Sequence, residues 1–350
     1  MTRMIRQSMT AYATPLCETV VEAPEPQGTQ VLVRISSCGV CHSDLHLHDG
    51  YFSLGGDKKL DVTAFRSLPF TLGHEIAGVV EQAGPDANVK IGTSAAVFPW
   101  IGCGECAACQ AGEENLCAAP RHLGIQVDGG FATHVLVPHP RYLIDHGSVP
   151  ATLAGAYMCS GLTAFSALKR LSEHAKRGPV LLVGLGGVGM MGLAFALALF
   201  AHRPIVADID AAKREAALAA GAAAAYDPAD MNARKALLKA TGGVHGAVDF
   251  AGTDGSLALA SGALARGGKV VITGLIGGTY TTPIAMFPLR VFGIEGTMTG
   301  TLAEAQEMMA LARAGKIPPV PIFERPLAAA QASLDDLRAG KIVGRVVLKP

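Results

Sequence analysis

The run from Val180 to Ala201, VLLVGLGGVGMMGLAFALALFA, constrains the fold more than any other part of this chain. It carries no charge and is long enough to cross a bilayer. Yet Gly184, Gly186, Gly187, Gly189 and Gly192 break it near its middle, and no second run like it exists. A buried strand, a tight glycine turn and a buried helix account for such a pattern. The texture around it agrees. From about Leu153 onward, apolar strands alternate with alanine-rich helical stretches: PIVADID, AAKREAALAAG, GAVDFAG, SLALASGALARGG, KVVITGL. That is the β-α-β rhythm of a doubly wound parallel sheet, so the fold class is α/β.

The first half reads differently. VLVRISSCGV (31–40) and HEIAGVVEQAG (74–84) are β-rich and bounded by Gly and Pro, as in an irregular barrel-like domain with long loops. The closing strand IVGRVVLKP resembles this half, so the last fifty or so residues are expected to complete it. The expected division is 1–154 with a cysteine lobe at 98–120, then 155–298 as the nucleotide-binding domain, then 299–350 returning to the first. A chain of 350 residues suits two such domains.

Composition excludes several classes of function. Lys and Arg total 29, as do Asp and Glu, so there is no basic excess for nucleic acid or an anionic membrane surface. Hydrophobic residues at 50% against charged residues at 17% exclude global disorder. The N-terminal MTRMIRQSMTAYATP lacks an apolar core, so no signal peptide is expected and the setting is expected to be cytoplasmic. Eight cysteines are too few for a disulfide scaffold.

Gly184-Leu185-Gly186-Gly187-Val188-Gly189 is G-x-G-x-x-G, placed after a strand and before a helix. The first glycine makes the turn, the second lets backbone approach a pyrophosphate, and the third lets helix and strand pack closely. Asp208 follows about 20 residues on, where a carboxylate accepts hydrogen bonds from an adenosine ribose and repels a 2′-phosphate. NAD is therefore expected over NADP. Lys213 and Arg214 lie nearby, either to temper that preference or as an exposed helix face.

Cys103-x2-Cys106-x2-Cys109-x7-Cys117 fits a closed tetrahedral zinc site, which leaves no open position for chemistry. An iron–sulfur cluster uses similar ligands. A second set is dispersed: Cys41-His42-Ser43-Asp44-x-His46, then His74-Glu75, then Cys159. Two thiolates and one imidazole would make a three-ligand zinc open to water or substrate, although each residue alone is more often a core Cys or a satisfied His. Cys38, with Cys41, spells C-x-x-C and reads as a small core residue.

Taken together and in order, CGVCHSDLH, GHE, the four-cysteine lobe, MCSGLTA, GLGGVG and the late IVGR resemble a zinc-dependent alcohol dehydrogenase of the medium-chain dehydrogenase/reductase superfamily, over essentially the whole chain. The length and the CHSDLH wording are similar to the microbial, homotetrameric branch. The resemblance implies a GroES-like catalytic domain beside the Rossmann sheet, two Zn²⁺ per subunit, and NAD. It implies Cys41, His74 and Cys159 as ligands of a catalytic zinc and the four lobe cysteines as ligands of a structural one. Asp44 would orient the His74 imidazole, and Glu75 would assist ligand exchange or serve as a buried structural carboxylate. Ser43 would take the alcohol proton and pass it through a ribose hydroxyl to His46. His42 and Arg345 would face the pyrophosphate, while Thr163 and Leu275 would line the nicotinamide pocket. Trp100 would wall the substrate pocket, with its direction left open by its short spacing to Cys103.

A metal of this kind acidifies a bound alcohol, so hydride can leave its carbinol carbon for the cofactor. A primary or aromatic alcohol is the expected substrate, a secondary alcohol or polyol the alternative, and a non-catalytic zinc-binding relative the third reading. One departure stands out. The segment between His46 and His74, with YFSLGGDKKLDVTAFRSLPF, is longer than in relatives and adjoins the cleft. It either reshapes the entrance or is a surface insertion, with Lys58, Lys59 and Arg66 expected in solvent.

Overall fold

The computed structural model describes residues 2–350. Strands β1 (Arg3–Met9) and β2 (Cys17–Glu22) pair antiparallel from Arg3↔Glu22 to Ser8↔Cys17. Strand β3 (Val31–Gly39) leads into helix α1 (His42–Asp49), which ends at Gly50 in the left-handed conformation. A ribbon of β4 (Tyr51–Ser53) and β5 (Lys59–Asp61) follows, then the short β6 (Phe70–Thr71), which pairs with β1. Strands β7 (Glu75–Ala83) and β8 (Ser94–Val97) precede the cysteine lobe, which contains α2 (Ala107–Gln110). After it come β9 (His134–Val137) and β10 (Leu143–Ile144).

Helix α3 (Ala151–Ala156) runs through a π-helical turn, Tyr157–Gly161, into α4 (Leu162–Lys169), with α5 (Ser172–Ala175) behind it. The continuous helix Ala151–Lys169 has the length and hydropathy of a membrane span, but 78% of its apolar window is buried inside the fold. It is a core helix.

The nucleotide half opens with β11 (Val180–Val183), α6 (Gly187–Leu199), β12 (Ile205–Ala207), α7 (Ala211–Ala220) and β13 (Ala224–Tyr226). It continues through β14 (Val244–Asp249), β15 (Leu264–Ile272) and β16 (Gly293–Gly296). All six strands are parallel, in the order β13-β12-β11-β14-β15-β16. The order reverses between β11 and β14, and ligands of such sheets bind outside the strand ends at that switch point. The uncharged run 180–201 is thus strand, turn and helix, as its glycines require.

The last strands, β17 (Ile322–Pro326) and β18 (Arg345–Lys349), return to the first half, where β18 pairs antiparallel with β3 at Leu348↔Cys38. That sheet reads β10-β8-β7-β3-β18-β17, with β9 also on β3. Cys38 is fully buried in the core, the place a small residue of its kind is expected to take. Arg66 is a correction. It is buried, its Nε donating to the Ile125 carbonyl at 2.8 Å and Nη1 to the Leu47 carbonyl at 3.3 Å. The two carbonyls offset part of the cost of burying a guanidinium whose Nη2 has no partner. Lys58 and Lys59 are exposed, with Lys59 Nζ 3.7 Å above the Tyr51 ring.

Candidate active site

Cys41 is the residue that starts α1, and Asp44 three positions on accepts the Cys41 backbone N–H through Oδ2 at 2.9 Å. This satisfies one of the orphan donors at a helix start. The other oxygen of Asp44 accepts from Gly73 N at 3.2 Å and faces His74 Nδ1 at 3.3 Å. One fully buried carboxylate therefore positions both the Cys41 turn and the His74 ring. Cys159 arrives from the π-helical turn, a widened turn frequent at functional sites.

The ligand atoms of Cys41, His74, Glu75 and Cys159 all lie within 4.8 Å of one another. The two sulfurs are 3.9 Å apart. Tetrahedral zinc with Zn–S near 2.3 Å separates its sulfurs by about 3.8 Å, so the donor set fits the metal in kind and in spacing. With Nδ1 turned to Asp44, the buried Nε2 of His74 has no hydrogen-bond partner, and a buried ring nitrogen left so is costly unless a metal takes it. The hydrogen bond from Cys159 drives the Cys41 thiol well below its ordinary range, while the same contact and burial push Cys159 up. His74, despite a burial that lowers it, is held well above its usual value by Asp44.

Glu75 stands opposite Gly39 on the β3–β7 pair, and a Cβ at Gly39 would lie 2.0 Å from Glu75 Oε2. Only glycine leaves room for that carboxylate. Its Oε1 accepts from Ser160 Oγ at 2.5 Å and from Ser160 N at 3.3 Å, and its Oε2 pairs with Arg345 Nη2. Burial raises the Glu75 carboxyl, against the pull of Arg345. Sequence reasoning missed Ser160, although it lies beside Cys159 in the quoted MCSGLTA; its bond to a residue 85 positions away has no local signature.

Arg345 reaches further. A Cβ at Gly187 would sit 2.7 Å from Arg345 Cδ, so this buried side chain runs from the metal cluster to the glycine turn. There, a Cβ at Gly189 would lie 1.8 Å from the Gly184 carbonyl oxygen, whereas Gly186 faces open space. Helix α6 starts at Gly186 with no side-chain cap, leaving its N-terminal N–H groups for a phosphate. Val188 is half-buried on the first turn of α6. Asp208 directly follows β12, its Oδ2 accepting from Leu185 N at 2.6 Å and Oδ1 from Asp210 N at 2.9 Å. Lys213 Nζ is 3.8 Å from Asp210, and Arg214 donates to the Asp208 carbonyl at 2.7 Å. The open space at Gly186, the free helix start and the carboxylate at the strand end fit a dinucleotide.

His42, Ser43 and His46 share α1; Thr163 is half-buried on α4, and Leu275 is exposed in the loop after β15. Trp100 is buried, its indole N–H bonded to the Met158 carbonyl and its ring between those of His74 (5.6 Å) and His122 (5.3 Å). In the lobe, Sγ–Sγ distances are 3.5 Å for Cys106–Cys109, 3.8 Å for Cys106–Cys117 and 3.9 Å for Cys103–Cys109. These again match a tetrahedral S₄ site. The N–H groups of Glu105 and Cys106 point at Cys103 Sγ and pull that thiol down to about 6. Buried Glu114 accepts from Gly102 N and Tyr142 Oη and fastens the lobe.

Comparison with known proteins agrees with this geometry. Residues 27–146 match the family model "Alcohol dehydrogenase GroES-like domain", and residues 187–314 match "Zinc-binding dehydrogenase". The NAD-dependent alcohol dehydrogenases of Sulfurisphaera tokodaii and Saccharolobus solfataricus are each 35% identical, over 96% of this chain and 97% of theirs. The alcohol dehydrogenase of Aeropyrum pernix superposes with a TM-score of 0.86 at 28% identity, covering 99% of this chain and 100% of that one. The fold and the site define a medium-chain zinc-binding oxidoreductase. The chain belongs to the zinc-dependent alcohol dehydrogenase family of the medium-chain dehydrogenase/reductase superfamily, with zinc and NAD as its cofactors.

Proposed function

We propose that this protein interconverts an alcohol, primary or aromatic, and its aldehyde or ketone with NAD. The observation that carries the reading is Arg345, which touches both Glu75 in the thiolate–imidazole cluster and Gly187 in the phosphate cradle. One side chain thus joins a metal site to a dinucleotide site, the juxtaposition that hydride transfer needs.

Cys41, His74 and Cys159 would hold the reactive zinc, and Cys103, Cys106, Cys109 and Cys117 the structural one. When bound, zinc supplies Lewis acidity and NAD accepts hydride. Asp44 holds the His74 tautomer. Ser43 and His46 lie three residues apart on α1 and hence on one face of it; Ser43 would take the substrate proton and His46 deliver it to solvent. His42 and Arg345 would offset pyrophosphate charge, Lys213 and Asp208 would meet the adenosine ribose, and Thr163 and Leu275 would flank the nicotinamide. Trp100 beside His74 supports an apolar substrate.

A second reading is a polyol or aldose substrate, since a D-arabinose 1-dehydrogenase (NADP(+)) of Saccharolobus solfataricus is 30% identical over 97% of this chain. Asp208 opposes the NADP part of that reading. A homo-oligomer is supported by β16 at the sheet end, with exposed Ile284, Leu289 and Val291 close by in sequence; a tetramer is favoured over a dimer on the resemblance to the microbial branch alone. A cytoplasmic setting is supported by eight cysteines, none of them in a disulfide.

Initial rates of NAD⁺ and NADP⁺ reduction across primary, aromatic, secondary and polyol alcohols test the proposal. Highest efficiency with NAD⁺ and a primary or aromatic alcohol supports it. Preference for a sugar with NADP⁺ supports the second reading and overturns the first.

A further inference from the structure

The ribbon β4–β5 reaches out of the catalytic half and touches the nucleotide half. Its stem packs on α1, where the Phe52 and His46 rings lie 4.7 Å apart, centroid to centroid, and tilted by 33°. Its tip meets the loop that follows β15. A Cβ at Gly55 would lie 2.9 Å from the Gly278 carbonyl carbon, and one at Gly277 would lie 2.7 Å from both Ser53 O and Oγ. The two backbones are therefore in direct contact, at glycines whose φ values of +93° and +105° side chains rarely adopt.

Both ends of this contact are braced. Asp254 receives the Thr279 N–H and lies against Gly278. At the ribbon's base, Val62 N donates to Gly50 O at 3.0 Å, and Asp61 accepts the Thr63 N–H at 2.7 Å. Arg66 then ties the following segment to the Leu47 and Ile125 carbonyls. Leu275, assigned above to the nicotinamide pocket, stands two residues before Gly277 on that loop, and His46 lies beneath Phe52.

We infer that the 51–61 ribbon is a cofactor-retaining element, in which Phe52, Ser53 and Gly55 close the nicotinamide end of the cleft and slow the release of NADH. This rests on the NAD-dependent reading above. The adenosine end, held by the glycine turn and Asp208, does not touch the ribbon, so the effect is confined to ligands that carry the nicotinamide half.

Two variants test it. In one, Leu54–Lys58 is replaced by Asn-Gly, a two-residue hairpin loop that keeps the Ser53↔Lys59 pair and removes the tip. In the other, Gly55→Asn keeps a residue tolerant of left-handed backbone and wedges a side chain into the contact. NADH dissociation is followed by displacement, and ADP-ribose affinity by calorimetry, with unfolding midpoint and zinc content confirming the fold. The expected result is NADH release faster by about tenfold, equivalent to about 1.4 kcal/mol, in both variants, with ADP-ribose affinity unchanged. Unchanged NADH release in correctly folded variants overturns the inference, as does equal weakening of NADH and ADP-ribose. Wild-type protein that binds no NADH overturns the NAD-dependent reading itself, and the ribbon's role with it.

Discussion

The Trp100 indole N–H donates to the Met158 carbonyl at 2.8 Å, one residue before Cys159, while its ring flanks that of His74. A single side chain thus fixes the backbone beside Cys159 and the ring of His74, two members of the thiolate–imidazole cluster. Trp100→Phe leaves the Met158 carbonyl buried without its donor. The expected cost is about 1–3 kcal/mol in urea unfolding, with faster zinc loss to a chelator from the Cys41 site than from the lobe.

Asp44 governs the same cluster from the other side, through Cys41 N, Gly73 N and His74 Nδ1. Asp44→Asn keeps the shape but removes the charge that holds the imidazole. Zinc affinity at the Cys41 site is expected to fall by about 10–100-fold, measured by chelator competition, with lobe affinity unchanged.

Arg345 and Glu75 form a pair that is almost completely buried. Arg345→Met strands a buried carboxylate that Ser160 alone then holds. Breaking such a pair costs about 3–5 kcal/mol, and Glu75→Gln in the same chain should restore part of it. Denaturant unfolding of the two single variants and the double variant measures the coupling; purely additive costs would contradict the pairing.

The lobe thiols give a pH dependence in metal-stripped protein. Cys103 is drawn to about 6 by the Glu105 and Cys106 N–H groups, against about 8.5 for an unfolded thiol. The folded value is depressed, so the stabilisation is complete above the unfolded value and is lost as pH falls through about 6. Alkylation mapped by peptide mass should modify Cys103 with a midpoint near that pH, with Cys109, pushed up to about 12 by burial, unreactive at neutral pH. Equal reactivity of the two would contradict this.

What was legible in the sequence is what short spacing encodes. The glycine turn, the lobe cysteines and the CHSD helix start are each made within a dozen or so residues, and the structure places them as their spacing requires. Ser160, the Gly39–Glu75 opposition and the Phe52–His46 stack depend on elements that meet only once the chain has folded, and no local pattern announces them. The charge of Arg66 suggests solvent, whereas two distant carbonyls, of Leu47 and Ile125, take its donors inside the fold. The ribbon was visible as an added length of chain, but not as a contact with Gly277 and Gly278.

Whether Cys41, His74 and Cys159 hold a reactive zinc is tested most directly by alcohol-dependent NADH formation while zinc is removed and restored. The rate is expected to fall in step with loss of one zinc per chain and to return when zinc is added back, with the lobe zinc retained throughout. Undiminished NADH formation in chains whose Cys41 site is empty would contradict it.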